Sequence, residues 1–226
     1  MVPREILAIA RIPGGDELTL VRHGQDFSVM LGADELMGTR KQFSEEQLAV
    51  LTIERLDAPR PRLLIGGYGL GFTYRAALDR LPEGGHVTVA ELVPEILDWA
   101  RGPMAHLTGD SLEDPRGEVV IADVAAPIDE AACGAGPRWD AILLDVDNGP
   151  DGIVRDENDR LYSRDGLDRA KRALNPGGIL AVWSAAPDPA FTRRLRDAGM
   201  AVDTRTVRAR PNNKGAQHTI WFAAKR

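Results

Sequence analysis

Two rhythms of apolar and polar residues divide the chain. Up to about residue 43 the apolar runs are short: EILAIARI, ELTLVRH and DFSVMLG, separated by Gly-Gly-Asp and Gly-Gln-Asp. Runs of this length bounded by Gly and Asp predict small antiparallel strands. Ser44 then opens a helix, with Gln47 placed as a capping-box partner and Leu48, Leu51 and Leu56 on its buried face. From Arg62 the rhythm changes. RLLIG, HVTVAEL, EVVIADV, WDAILLDV and GILAVWSA read as five strands, and helices are expected over Phe72–Leu81, from Val93 to Gly102, Arg164–Leu174 and Pro189–Ala198. MAVDTRTVRA and QHTIWFAA flank PNNKG as a terminal hairpin.

Alternating strands and helices predict a mainly parallel sheet with helices on both faces. A terminal hairpin adds an antiparallel strand. The expected fold class is therefore α/β, a methyltransferase-like Rossmann-type sandwich ending in an antiparallel hairpin. Its expected division is a small β-rich segment over 1–43 and a nucleoside-binding α/β domain over 44–226.

Composition narrows the setting. The chain has 226 residues, of which 43% are hydrophobic, enough for a sizeable core without staples. Cys133 is its single cysteine, which forbids an intrachain disulfide and predicts a cytoplasmic protein. No apolar run approaches the roughly 18 residues of a membrane span, so no membrane is expected as partner. The formal net charge is −6. That disfavours nucleic acid, the local Arg205, Arg208, Arg210 and Lys214 cluster notwithstanding, and suits a cationic small molecule.

The candidate chemistry lies where strands end, since open α/β sheets bind ligands beyond the carboxyl ends of their strands. LLIGGYGLGF puts Gly67, Gly69 and Gly71 between the first parallel strand and its helix. Glycines there permit a tight turn and close approach of a ligand to backbone N–H groups, although a bare turn would use them as well. Glu91 ends the second strand, where a carboxylate can take both hydroxyls of a ribose or simply end the strand in solvent. Asp123 ends the third, where it could accept from an adenine amino group or cap the helix begun by APIDEAA. AILLDVDNGPDG ends the fourth in Asp145 and Asp147, and more acids follow in the loop.

Between these acids the text becomes more specific. GDSLEDPRGEVVIADV resembles the spermidine synthase (polyamine aminopropyltransferase) family through Leu112, Asp114, Pro115, Arg116, Val119, Val120 and Asp123. Asp145, Gly149 or Pro150, and the later Leu161-Tyr162 are similar to that family's D-x-x-D-P-x-G-P loop and the Leu-Tyr that follows it. NPGGIL looks like its turn into the fifth strand. The resemblance runs from about Arg62 to Ser184.

It implies transfer of an aminopropyl group from decarboxylated S-adenosylmethionine, a co-substrate rather than a tightly bound cofactor, to a small-molecule amine. Gly67 and its neighbours would meet the nucleoside, Glu91 the ribose and Asp123 the adenine. Asp145 would be the catalytic acid, with Asp147 and Tyr162 on the substrate side. It also implies a homodimer through the N-terminal strands. The chain departs from the family at Gly69, where its glycine loop carries an Asp, and at Asn148, where its second loop acid falls, with Asp147 one residue early; it also has no Tyr-His pair after the N-terminal acids and no clear match for the Gln of the preceding turn.

Asp145 also has a chemical reason of its own. An alkylamine with a pKa near 10.4 is protonated at neutral pH, and a carboxylate beside a sulfonium can orient it and take its proton. Two alternatives stay open: a methyltransferase using intact S-adenosylmethionine, which the glycine at 69 would suit, and a non-catalytic nucleoside binder. A metal site built from Asp145, Asp147 and Asn148 is disfavoured, because the Asp-Asn pair sits on the wrong loop. The four histidines lack ligand spacing, so no metal is expected.

Overall fold

The computed structural model describes residues 3–146, 150 and 159–226. Asp147, Asn148 and the acids from Asp151 to Glu157 lie outside them. Four strands come first: β1 (Arg4–Arg11), β2 (Glu17–His23), β3 (Asp26–Leu31) and β4 (Asp34–Gly38), paired in order as one antiparallel sheet. The helix α1 (Gln42–Ile53) leads into β5 (Arg62–Gly66), α2 (Phe72–Arg80), β6 (His86–Glu91), α3 (Pro94–Arg101) and the single turn α4 (Ala105–Thr108). Then come β7 (Gly117–Ile121), α5 (Ala125–Cys133), β8 (Trp139–Leu144), the turn α6 (Asp159–Tyr162), α7 (Arg164–Ala173), β9 (Leu174–Ser184), α8 (Pro189–Asp197), β10 (Met200–Arg210) and β11 (Lys214–Lys225).

The larger sheet has the order β10-β11-β9-β8-β5-β6-β7. Its strands β5 to β9 are parallel, and β11 runs antiparallel to both β9 and β10. This is the α/β sheet with a terminal antiparallel hairpin that the sequence predicts. The hairpin turns through Asn212 and Asn213 at φ +58° and +60°, a backbone that Asn tolerates better than most residues.

One helix start differs from expectation. Ser44 lies inside α1, which begins two residues earlier. Its hydroxyl donates to the Lys41 carbonyl at 2.8 Å and meets His218 Nδ1 at 2.8 Å, so a residue that looks like a cap is a buried tether between α1 and β11. The serine's one hydrogen goes to Lys41, so the imidazole donates from Nδ1. Burial holds the His218 pKa down at about 4, which keeps the ring neutral in that role.

The central strands are buried on both faces, and their side chains divide by parity. Leu63 and Ile65, Ala141 and Leu143, and Ala181 and Trp183 face α1, α2, α3 and the N-terminal sheet. Leu64, Ile142 and Leu144, and Leu180 and Val182 face α5, α7 and α8. On the second side Phe191 packs edge-on against Tyr162 and Trp221, with ring centroids 5.6 and 5.1 Å away. The helix that carries it starts at Asp188, whose carboxylate accepts from the N–H groups of Ala190 and Phe191 at 2.7 and 2.9 Å.

Phe191 has no exposed surface, so Phe191→Ala leaves a cavity that three elements cannot jointly close. The expected cost is about 3–5 kcal/mol in urea denaturation. A loss under about 1 kcal/mol would mean that α8 collapses onto the sheet.

Candidate active site

The crevice opens at the carboxyl ends of β5, β6, β7 and β8, where the loops gather five of the expected residues around one cavity. Gly67, Gly69, Glu91, Asp123 and Asp145 all line a cavity of about 110 Å³. Its opposite wall is apolar and comes from the N-terminal sheet and its flank, through Ile12, Leu18, Leu36 and Met37. The small sheet thus closes a site that the larger one leaves open.

The glycine loop bends through three left-handed positions, Gly67, Gly69 and Gly71, at φ +86°, +56° and +80°. Only glycine adopts these without strain. A Cβ on Gly67 would stand 2.7 Å from the Asp145 carbonyl oxygen, so the loop passes hard against the end of β8. Gly71 lies one step further along as the residue before α2 and does not line the cavity. A Cβ on Gly69 would meet Met37 Sδ at 3.1 Å, so an apolar neighbour fills the space beside the position where the spermidine synthase loop carries an acid.

Glu91 holds that loop in shape. Its Oε2 accepts from Tyr68 N and its Oε1 from Val93 N, both at 2.8 Å. Burial raises the pKa of the carboxyl, and backbone N–H groups of Val93, Tyr68, Gly69 and Leu92 pull it back. Of the two expectations for Asp123, the described contacts match the one at a helix start. Oδ1 accepts from Ala125 N at 2.8 Å, as a helix-starting residue does, while Oδ2 is ion-paired with Arg160. Arg160 therefore covers the outward oxygen of Asp123, a contact no sequence pattern announced.

Asp145 stands at the end of β8, with its N–H on the Gly66 carbonyl at 3.1 Å. Thr73 Oγ1, from the first turn of α2, donates to its Oδ2 at 2.6 Å. The same hydroxyl lies 3.2 Å from the Glu45 carbonyl oxygen. It has one hydrogen and two acceptors. Ionised Asp145 draws that hydrogen; protonated Asp145 can release it to Glu45 and donate its own. Burial pushes the Asp145 pKa up to about 6, against the Thr73 hydrogen bond and the nearby Lys41 charge.

A second, narrower cavity of about 40 Å³ adjoins the first through Leu36, Met37, Gly69 and Asp145. Glu45, Tyr68 and Trp183 complete it. Glu45 was missed by sequence reasoning, although a signal exists. It shares a helical face with Leu48, Ala49 and Thr52, all buried, so α1 periodicity directs it inward.

Tyr162 stands apart from both cavities. It is buried beside Phe191, with its hydroxyl 3.5 Å from the Val146 carbonyl oxygen. Asp147 lies outside the described residues. The Asp-Pro-Arg run that carries much of the family resemblance has a structural task. Arg116 donates from Nε and Nη2 to Asp114 at 3.0 and 2.7 Å and from Nη1 to the Leu81 carbonyl at 3.3 Å, fixing the turn into β7. Among the described residues no group of His, Cys, Asp and Glu could hold a metal ion, and no helix is long and apolar enough to cross a membrane.

No family model matches the chain. The polyamine aminopropyltransferase of Mycobacterium tuberculosis is 32% identical over 192 residues, covering 82% of this chain and 35% of that protein. Polyamine aminopropyltransferase 1 of Streptomyces coelicolor is 36% identical over 135 residues, 58% of this chain and 24% of that protein. The chain thus matches about a third or less of the length of these curated relatives. A spermidine synthase in complex with the transition-state analogue AdoDATO shares the fold at a TM-score of 0.75 and 17% identity, over 98% of this chain and 74% of that one. The spermidine synthase of Thermotoga maritima gives a TM-score of 0.72 at 17% identity, over 98% and 72%. The chain is thus similar to polyamine aminopropyltransferases over most of its sequence and shares the spermidine synthase fold over nearly all of it.

Proposed function

We propose that this chain transfers an aminopropyl group from decarboxylated S-adenosylmethionine to a small amine, with Asp145 as the base. The observation that carries it is the position of Asp145 on the wall shared by the two cavities, its carboxylate held by Thr73. The larger cavity, with Glu91 and Asp123, suits the nucleoside of the donor. The smaller one opens beside Asp145 and suits an amine.

The acceptor arrives as an ammonium. Asp145 takes its proton, and the freed lone pair attacks the aminopropyl carbon bonded to the sulfonium. That C–S bond breaks, its electrons neutralise the sulfur, and methylthioadenosine leaves. A buried carboxylate stabilises both the cationic donor and the ammonium before reaction, in a site where water screens little. Its raised pKa also brings it closer to neutrality as a proton acceptor.

A second reading is methyl transfer from intact S-adenosylmethionine. Gly69 favours it, because the loop carries no acid there to repel the carboxylate of that donor. Mass spectrometry after incubation with each donor and an amine separates the two. Methylthioadenosine formed only with amine present supports aminopropyl transfer, and S-adenosylhomocysteine supports methyl transfer.

Asp145→Asn is expected to lower kcat by about 10²–10⁴ while the affinity for methylthioadenosine stays within about two-fold. An unchanged rate at saturating amine would remove Asp145 from the mechanism. The parent protein's kcat/KM for the amine should rise with pH through about 6, as the Asp145 carboxyl ionises.

Stability follows the opposite course. A carboxyl whose pKa is raised by folding stabilises the fold in its protonated form; that contribution is complete below its ordinary value of 3.8 and lost as pH rises through about 6. Asp145→Asn should therefore resist urea better than the parent at pH 8, with the difference shrinking towards pH 4. Equal stability at pH 8 would show that the ionised carboxylate costs the fold nothing.

A further inference from the structure

Glu45 is an acid with no evident structural reason to be where it is. Only 7% of it is exposed, yet no hydrogen bond reaches its carboxylate among the described residues. Its burial and the facing Asp145 hold its pKa well above the ordinary range, with Glu46 adding slightly and Lys41 opposing. Lys41 is nearby but does not serve as a close counter-ion: its ammonium ends on the carbonyls of Leu36 and Glu35 at 3.1 and 3.4 Å. His218, behind Ser44, is neutral. Glu46 turns to Gln42 and Arg75.

A buried carboxylate without a partner is costly, and a bound cation is the direct way to offset that cost. The cavity it faces supports this. About 40 Å³ accommodates one small group, not a long chain, and two of its walls are the carboxyl-bearing residues Glu45 and Asp145. Trp183 closes it as a wall that is 3% exposed, with an indole Nε1 that has no hydrogen-bond partner among the described residues. An aromatic wall beside two acids is favourable surroundings for an ammonium.

We propose that Glu45 is an ammonium-binding residue, and that the cavity between Glu45, Asp145 and Trp183 holds a single primary alkylammonium group. This group has two sources with the same chemistry: the amine acceptor, or the aminopropyl end of the donor itself. The placement of donor and acceptor rests on the transfer reaction proposed above, but the cation site does not.

The test is binding measured by calorimetry, which needs no turnover. The probes are propylammonium, decarboxylated S-adenosylmethionine and methylthioadenosine, the last lacking any ammonium. Glu45→Gln keeps the size of the side chain and removes its charge, and Glu45→Asp keeps the charge. With Glu45→Gln, affinity for propylammonium or for the decarboxylated donor is expected to fall at least ten-fold, while methylthioadenosine binds as before. Glu45→Asp should recover part of the loss.

A fall confined to propylammonium assigns the site to the acceptor, and one confined to the donor assigns it to the aminopropyl chain. Unchanged affinity for both ammonium probes overturns the proposal. So does an equal loss for methylthioadenosine, which would make Glu45 a structural residue. Retained ammonium binding in a protein that transfers nothing would sink the proposed reaction and leave this site standing.

Discussion

Neighbouring strands β5 and β8 send their chains to opposite faces of the sheet, and the site exists because of that divergence. From β5 the chain turns through the glycine loop into α2, whose Phe72 and Tyr74 pack with the N-terminal side. Beyond β8 the next described helices include α7, whose Leu167 and Ala170 pack on the other side. Among the described residues no helix lies over the strand ends between them, and the crevice opens at this point in the topology. Glu91, Asp123 and Asp145 are arranged around it. Of the strands that lead there, β5, β6 and β8 are buried on both faces, so a carboxylate at their ends enters a drier environment and must find hydrogen bonds, a cation or a proton.

The three carboxylates use these remedies differently. Glu91 is satisfied by backbone N–H groups and so doubles as the brace of the glycine loop. Asp123, nearer the edge, divides itself between a helix start and Arg160. Among the described residues the Asp145 carboxylate is held by the Thr73 hydroxyl alone, and it keeps a raised pKa. The gradient from satisfied to unsatisfied runs towards the narrow cavity, so the unspent electrostatic demand of the site is concentrated at Asp145 and its neighbour Glu45. The small N-terminal sheet matters for the same reason. Its Leu36 and Met37 line both cavities and keep water away from the acids, which strengthens any charge interaction made there.

The fold was largely legible because its signals are local. Apolar runs such as Ala141 to Leu144 carry no polar residue for a solvent face, and the terminal hairpin announced itself through Asn212 and Asn213. The glycine loop and Glu91 were legible for the same reason: each follows directly from where a strand must end. What failed was anything depending on contacts distant in sequence. Ser44 matches a capping pattern, and only the presence of His218 behind it explains why α1 starts earlier. Arg160 reaches Asp123 across 37 residues, a pairing no spacing rule encodes. Tyr162 follows a Leu in the way the family pattern requires, and its ring is nonetheless packed against Phe191.

The departure at Gly69 and the burial of Glu45 belong to one electrostatic problem. In the family that this sequence resembles, the glycine loop supplies an acid beside the donor's amino end; here the loop supplies only backbone, and Met37 lies close against it. Removing a negative charge from a site for cations weakens their binding unless another charge takes over nearby. Glu45 and Gly69 line the same narrow cavity, one from α1 and one from the loop. The carboxyl group in that cavity is thus carried by a helix rather than by the glycine loop. A carboxylate on a helix is held by the packing of Leu48 and Ala49 beneath it, so it can be brought into a dry pocket without the loop closing over it. That substitution of origin also explains how the loop can remain all glycine at its left-handed positions: with the charge carried elsewhere, Gly67, Gly69 and Gly71 are left to satisfy backbone geometry alone.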